Sequence, residues 1–157
     1  MTKNQNIDTT NPITNVLERY RPYLSNIDFN ALTSELDTIL PSAIRANCLK
    51  VDPKISILKW KDLYQWEIKD IPYFPFGWQI TNEPTLISRT IEHLMGEYYI
   101  QDAASMLPVS LFDQSKFEDK LILDMAASPG GKTTQLIDTA KDKSFVIAND
   151  SSASRLQ

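Results

Sequence analysis

The stretch Leu121–Leu136, "LILDMAASPGGKTTQL", holds residue types that could do chemistry. An apolar run closes on Asp124, a Pro-Gly-Gly turn follows, and Lys132, Thr133 and Thr134 open an amphipathic pattern. Strand, glycine loop and helix start is an arrangement that holds phosphates and nucleotide-like ligands on backbone N–H groups. A triphosphate loop of the form G-x-x-x-x-G-K-[ST] fits only in its tail, Gly131-Lys132-Thr133. Its first glycine would fall on Ala126, and Pro129 removes a donor from the middle of the cradle. A loop for an adenosine-bearing cofactor fits better. Ala126, Ala127 and Ser128 are small, Gly130 and Gly131 permit close approach, and Asp150 stands 19 residues after Gly131. A carboxylate at that distance can accept from both ribose hydroxyls. The G-x-G-x-x-G of dinucleotide enzymes is absent, which argues against a nicotinamide cofactor. A structural strand-to-helix turn without ligand is the alternative.

The loop needs a strand on either side to position it. "KLILD" and "FVIAND" read as buried strands, and "KTTQLIDTAK" reads as a helix with Leu136, Ile137 and Ala140 inward. Strand, helix and strand within so short a stretch predict a βαβ unit with parallel strands. Upstream, "YYIQD" is strand-like and "AASMLPVSLF" an apolar helix containing Pro108. "AIRANCLKV" alternates, with Ile44, Ala46 and Cys48 inward and Arg45 and Asn47 outward. "ISILKWKDLYQW" predicts a short helix leading into a strand at Trp66–Ile68, and "IPYFPFGWQI" a loop ending in a strand. "DFNALTSELDTIL" predicts a helix capped by Asp28, with Leu32, Leu36, Ile39 and Leu40 on one face and Pro41 as its stop. A shorter helix is expected at Ile13–Arg21, ending near Pro22, after a disordered leader over residues 1–12.

Composition excludes several classes. Hydrophobic residues make up 42% and charged residues 23% of 157, as in an ordinary globular chain. No apolar run is long enough to span a bilayer, and the polar N-terminus has no secretion-signal pattern. One cysteine, Cys48, excludes an internal disulfide and fits a reducing cytoplasm. The net charge of −4 argues against a general polyanion binder but allows a local basic face. One such window exists: Arg45, Lys50, Lys54, Lys59 and Lys61 against Asp52 alone, with Trp60, Tyr64 and Trp66 close by. Cations beside aromatics suit RNA phosphates and stacked bases. A solvated face over an aromatic core is the alternative.

"DMAASPGGKTTQ" resembles the cofactor motif of the Sun-type RNA cytosine-5 methyltransferases, in the RsmB/RsmF branch. "RANCLK", "HLMGEYYIQDAASMLPV" and "IANDSSASRLQ" resemble further segments of that family, so the likeness runs from about Asn15 to Gln157 and is most like the RsmF type. Ser128 departs mildly from the family's usual alanine. The resemblance implies an α/β fold: a small N-terminal α+β RNA-binding module over residues 13–90, then the start of a Rossmann-like methyltransferase core over 91–157. It implies S-adenosyl-L-methionine as cofactor, held by Ala126, Ala127, Ser128, Pro129, Gly130, Gly131, Lys132 and Asp150. It implies RNA, ribosomal rather than transfer RNA, as partner.

Methylation at cytosine carbon 5 needs a thiolate that adds at carbon 6 and makes the ring nucleophilic. The family supplies two cysteines, in Pro-Cys and Thr-Cys motifs downstream of the loop. Here 26 residues follow Gly131 and none is Cys. The chain therefore reads as a truncated portion of a longer enzyme, with no catalytic residue of its own and Cys48 as a structural thiol. A stand-alone RNA-binding remnant is the competing reading. "DIPYF", Asp70–Phe74, only brushes the D-P-P-Y signature of amine methyltransferases and reads as a turn. His93, the sole histidine, has no metal-ligand spacing around it, so no metal is expected and a helix-surface or capping place is.

Overall fold

The computed structural model describes residues 16–36, 38–141 and 143–155, and the chain divides into two units, Met1–Leu40 and Pro41–Gln157. The expected leader lies outside the described residues. In the first unit residues 16–18 are helical, Pro22 sits inside a 3-10 turn at Arg21–Tyr23, and helix α1 spans Asn26–Ser34. Its cap is Ser25, not Asp28: the Ser25 hydroxyl accepts from the Asp28 N–H at 3.1 Å. Asp28 instead occupies the first turn, where a carboxylate suits the helix dipole. The helix stops before Leu36, so Ile39 and Leu40 share no helical face and stand exposed.

The second unit begins with a four-stranded antiparallel sheet in the order β2-β3-β1-β4, from β1 (Ser42–Ala46), β2 (Glu67–Asp70), β3 (Gly77–Asn82) and β4 (Tyr98–Ile100). Helix α2 (Pro53–Tyr64) lies between β1 and β2 in sequence. Asp52 caps it, its Oδ1 accepting from Lys54 N at 2.9 Å and Ile55 N at 3.2 Å, and Pro53 is pre-set for the first turn. The helix buries Ile57 and Trp60 against Ile44, Trp66, Trp78, Ile80 and Tyr98. Trp60 and Tyr98 meet edge to face at 5.0 Å between centroids. Short helix α3 (Ile91–Leu94) leads into β4, with the Thr90 hydroxyl accepting from His93 N at 3.1 Å. His93 stacks on Tyr98 and is half-buried. Residues of "DIPYF" make the turn between β2 and β3, Phe74 N donating to Ile71 O at 3.1 Å.

The alternation expected for β1 gives way to burial on both faces. Ile44 and Ala46 face the cluster under α2, while Ala43 joins Ile71, Phe74 and Met106 on the other side. β1 is an interior strand with β3 and β4 as neighbours, and the two clusters keep water from both of its faces. Arg45 is therefore buried, at 2% exposure, rather than outward. Cys48 falls beyond the strand, in a turn, half-buried.

Beyond β4 come helix α4 (Ala103–Ser110, with Pro108 inside it) and a parallel βαβ unit: β5 (Lys120–Asp124), α5 (Gly131–Ala140) and β6 (Ser144–Ala148). Leu136 and Ala140 pack with Val109 and Phe117 against Ile122 and Val146. The strands are covered on that face only. Leu121 is 71% and Phe145 81% exposed, so the reading of buried strands holds for one face only; Ile137 also reaches solvent, so the expectation of an inward Ile137 does not hold. Leu123 and Ile147, on the second face, are exposed as well.

A buried polar chain ties this unit to the antiparallel sheet. Arg45 Nε donates to Gln101 Oε1 at 3.0 Å, Nη2 to Thr134 Oγ1 at 2.6 Å, and Nη1 pairs with the Asp138 carboxylate. Gln101 Nε2 donates to Gln135 Oε1 at 3.1 Å, and Gln135 Nε2 to Met106 O at 2.9 Å. Burial lowers the Arg45 guanidinium to about 10, which leaves it charged at neutral pH. Removing the cation would strand a buried carboxylate. Arg45→Met is expected to cost about 3–5 kcal/mol in urea denaturation. Arg45→Lys should recover only part of this, because one ammonium cannot serve three acceptors in a planar fork.

Candidate cofactor site

The glycine loop is built from its two ends. At the end of β5, Asp124 fixes both sides of it: Oδ1 accepts from Ala126 N at 3.1 Å and Oδ2 from the Thr133 hydroxyl at 2.6 Å. Main-chain bonds join the loop to the end of β6, Asn149 N to Asp124 O at 2.8 Å and Ala127 N to Asn149 O at 2.9 Å. The Ser128–Pro129 peptide is cis. Gly130 precedes α5 with φ of 105°, a conformation L side chains rarely adopt, and a Cβ there would meet nothing within 4 Å. Gly131 lies close to Gln101: an added Cβ would sit 3.3 Å from its Cδ. The Tyr99 hydroxyl donates to Pro129 O at 3.0 Å.

Asp150 sits on this same loop. Its Oδ2 accepts from Ser128 N at 3.1 Å and Arg155 Nη2 at 2.8 Å, and Oδ1 accepts from Ser152 N at 3.0 Å. These bonds, the Ser152 N–H first and the Arg155 guanidinium second, hold its carboxyl below the ordinary range. Ala126–Pro129, Gly131 and Lys132 form one wall of a cleft of about 290 Å³, and Tyr99, Gln101 and Asp102 contribute to the wall opposite. The structure thus brings the eight residues of the expected cofactor set to one loop and its flanks. Sequence reading named Asp124 and Thr133 but gave them no role in bracing the loop, and it missed the β4 end, which faces it. "YYIQD" carried a strand signal but nothing that pointed its polar residues at the loop.

The basic window disperses. Lys54, Lys59 and Lys61 stand exposed on α2, and Lys50 is exposed with its Nζ donating to Met95 O at 2.6 Å. Arg45 is enclosed and neutralised by Asp138, so it has no access to a phosphate. Trp60 and Trp66 are core residues, and Trp66 Nε1 donates to Thr85 O at 2.7 Å. They offer no face to a base. Burial pushes the Cys48 thiol up, away from the thiolate that nucleophilic chemistry needs.

Residues 14–103 match the family described as the N-terminal domain of 16S rRNA methyltransferase RsmF. The chain belongs to the RsmF family. Residues 113–157 match a second description, 16S rRNA methyltransferase RsmB/F, which covers the loop and Asp150. Ribosomal RNA small subunit methyltransferase F of Pectobacterium carotovorum subsp. carotovorum is 39% identical over 121 residues, covering 75% of this chain and 25% of that protein. The protein of the same name from Shewanella pealeana is 36% identical over 161 residues, covering 90% of this chain and 32% of its own length. The RsmF-family chain thus spans about a quarter to a third of these curated relatives. A methyltransferase homologue from Pyrococcus horikoshii superposes with a TM-score of 0.73 at 28% identity, over 93% of this chain and 50% of that one. NSun6 from Pyrococcus horikoshii, solved with SFG, shares the fold at a TM-score of 0.73 and 19% identity, over 89% and 59%.

The expected boundary between residues 90 and 91 falls before β4, which pairs with β1 in the first sheet. The two family matches leave residues 104–112, most of α4, between them.

The loop geometry yields an ordering of glycine variants. Gly130→Ala is expected to cost about 1–2 kcal/mol in chemical denaturation, because the residue sits at positive φ. Gly131→Ala should cost less, since its neighbour is a side chain that can yield.

Proposed function

We propose that this chain is the N-terminal part of an S-adenosylmethionine-dependent enzyme that methylates carbon 5 of cytosine in small-subunit ribosomal RNA. The observation that carries the reading is the joining of Asp150 to the glycine loop, through the Ser128 N–H, in a chain of the RsmF family. The residues suit such a cofactor. Gly130 leaves open space above the loop, α5 presents its N-terminal N–H groups, and Asp150, enclosed by Ser128, Ser152 and Arg155, keeps one lone pair on Oδ1 for a ribose hydroxyl once Arg155 gives way. Ala126, Ala127, Ser128, Pro129, Gly131 and Lys132 would line the adenosyl and amino-acid path. When bound, the cofactor supplies the methyl group. The chain's own residues bind and orient it; they do not activate the base. The only thiol among the 157 residues is Cys48, half-buried and raised in pKa, so the thiolate that attacks cytosine must come from elsewhere.

RNA contact is assigned to the exposed cations of α2. Lys54 and Lys61 are two turns apart on one stripe of the helix, with Lys59 also in solvent and Lys50 beside its N-terminal turn. A ribosomal RNA substrate would place the working protein in the cytoplasm. Among the described residues no helix is long and apolar enough to cross a membrane, and no group of three or more His, Cys, Asp or Glu is placed to hold a metal ion.

Calorimetry with S-adenosylmethionine tests the cofactor reading: Asp150→Ala should weaken binding about tenfold, the cost of unpaired ribose hydroxyls. Unchanged affinity would move the ribose elsewhere, and no binding by the parent chain would favour an RNA-binding remnant. For RNA, charge reversal at Lys54, Lys59 and Lys61 should flatten the dependence of log affinity on log salt by roughly two. Filter binding over a salt series reads that slope, and an unchanged slope would reduce these lysines to solvated surface.

A further inference from the structure

At the end of α5 remote from the glycine loop lies a second cavity, of about 200 Å³. Among the described residues it shares none with the cofactor cleft. The turn between β2 and β3 lines it with Phe74, Pro75 and Phe76, the two phenyl rings edge to face at 6.1 Å between centroids. The last turn of α5 and the residue after it supply Asp138 and Lys141, and Cys48 joins from the turn after β1. The volume is below the roughly 300–1,000 Å³ of a site for a drug-sized ligand, so there is room for one ring system and not for a whole cofactor. The cavity is also charged. Asp138 is 7% exposed and rests its Oδ2 on Arg45, which fixes the direction of its carboxylate. Lys141 is exposed and has no ion-pair partner among the described residues. Burial pushes the Cys48 thiol up, and the Arg45 and Lys141 cations act against that, which sets both charges close to the cavity.

We propose that this cavity takes one unpaired base of the RNA, with the adjoining phosphate on Lys141. The proposal rests on the RNA reading above and adds a base site, remote from the cofactor, to the phosphate contacts of α2. A base has flat apolar faces, which suit Phe76 and Pro75, and a polar edge. The amino group of a cytosine, adenine or guanine can donate to the Asp138 carboxylate. An aliphatic side chain from a protein partner would fill the apolar part but leave Asp138 and Lys141 unanswered. A base inside an A-form helix is stacked and paired and cannot enter, so the site selects loops and single strands. Lys141 can be removed without disturbing the helix end. It stands at φ of 47°, the left-handed conformation that glycine adopts freely.

Cys48 is the only thiol of the 157-residue chain, so its alkylation reports on the cavity. Labelling by iodoacetamide is followed by intact mass for the chain alone, with oligocytidine RNA, with an abasic ribose-phosphate oligomer of equal length, and with cytidine 5′-monophosphate. Oligocytidine is expected to slow the labelling severalfold and the abasic oligomer to leave it unchanged. Lys141→Gly should lower the slope of log affinity against log salt by about one in filter binding and remove most of the protection. Oligocytidine that binds yet leaves labelling at its free rate would overturn the base site while the RNA reading stands. Equal slowing by the abasic oligomer would overturn it too, by showing that no base enters. An unchanged salt slope in Lys141→Gly would remove the phosphate contact. Protection by the monophosphate alone would make this a small-molecule site and overturn the assignment to RNA. Failure of the parent chain to bind any RNA would overturn the RNA reading and the base site together.

Discussion

A guanidinium that is 2% exposed must have its donors met, and that requirement organises the second unit. Arg45 sits on an interior strand, and its hydrogen-bond partners lie beyond the strands of its sheet. They come from Gln101 after β4 and from Thr134 and Asp138 on α5. Through Gln135 the same chain reaches the main chain of α4. Hydrophobic contact alone would let α5 slide or turn on the sheet. A planar fork with three distinct acceptors does not, because each bond demands its own direction. The start of α5 is the end of the glycine loop, so the setting of that helix is also the setting of the loop.

The loop itself is held by carboxylates in two different ways. Asp124 braces it from within, accepting from a main-chain donor at its start and a hydroxyl just past its end. Asp150 meets it from β6, spending Oδ2 on Ser128 N and Arg155 and Oδ1 on Ser152 N. Oδ2 has both lone pairs engaged, and Oδ1 keeps one for a further donor. The parallel pairing of β5 and β6 places these two carboxylates at adjacent strand ends, which is where open α/β sheets gather ligands.

The two-stranded parallel sheet is finished on one side and open on the other. Ile122 and Val146 face α5, while Leu121, Leu123, Phe145 and Ile147 face solvent with the outer strand edges unpaired. Such a surface favours association with another chain or with further strands. The antiparallel sheet differs: α2 and the turn aromatics close both faces of its central strand. Stability is therefore expected to be uneven along the chain, highest around Trp60, Trp66 and Tyr98 and lowest at β5 and β6.

Local chemistry was legible in the sequence wherever a short stretch decides its own conformation. The Pro-Gly-Gly loop, the turn at Asp70–Phe74 and the parallel βαβ unit follow from backbone preferences and hydrophobic period. Asp150 was readable because a second strand and its length set the distance from the loop. What only the tertiary structure decided is which face of each element meets another. Arg45 looked like a surface cation until β1 gained a neighbour on either edge and cover on both faces. Trp60 and Trp66 looked available to bases until α2 turned them inward. The runs of β5 and β6 marked strands with a core to join, but which residues face α5 and which face solvent was settled only by the packing of Ile122 and Val146 against that helix. Gln101 stood in a segment that signalled only a strand and a family likeness, since its place against the loop depends on residues some 30 positions on, joined to it through the Arg45 network. Period and turn chemistry are local; burial and pairing are sums over distant residues, and no window of sequence contains them.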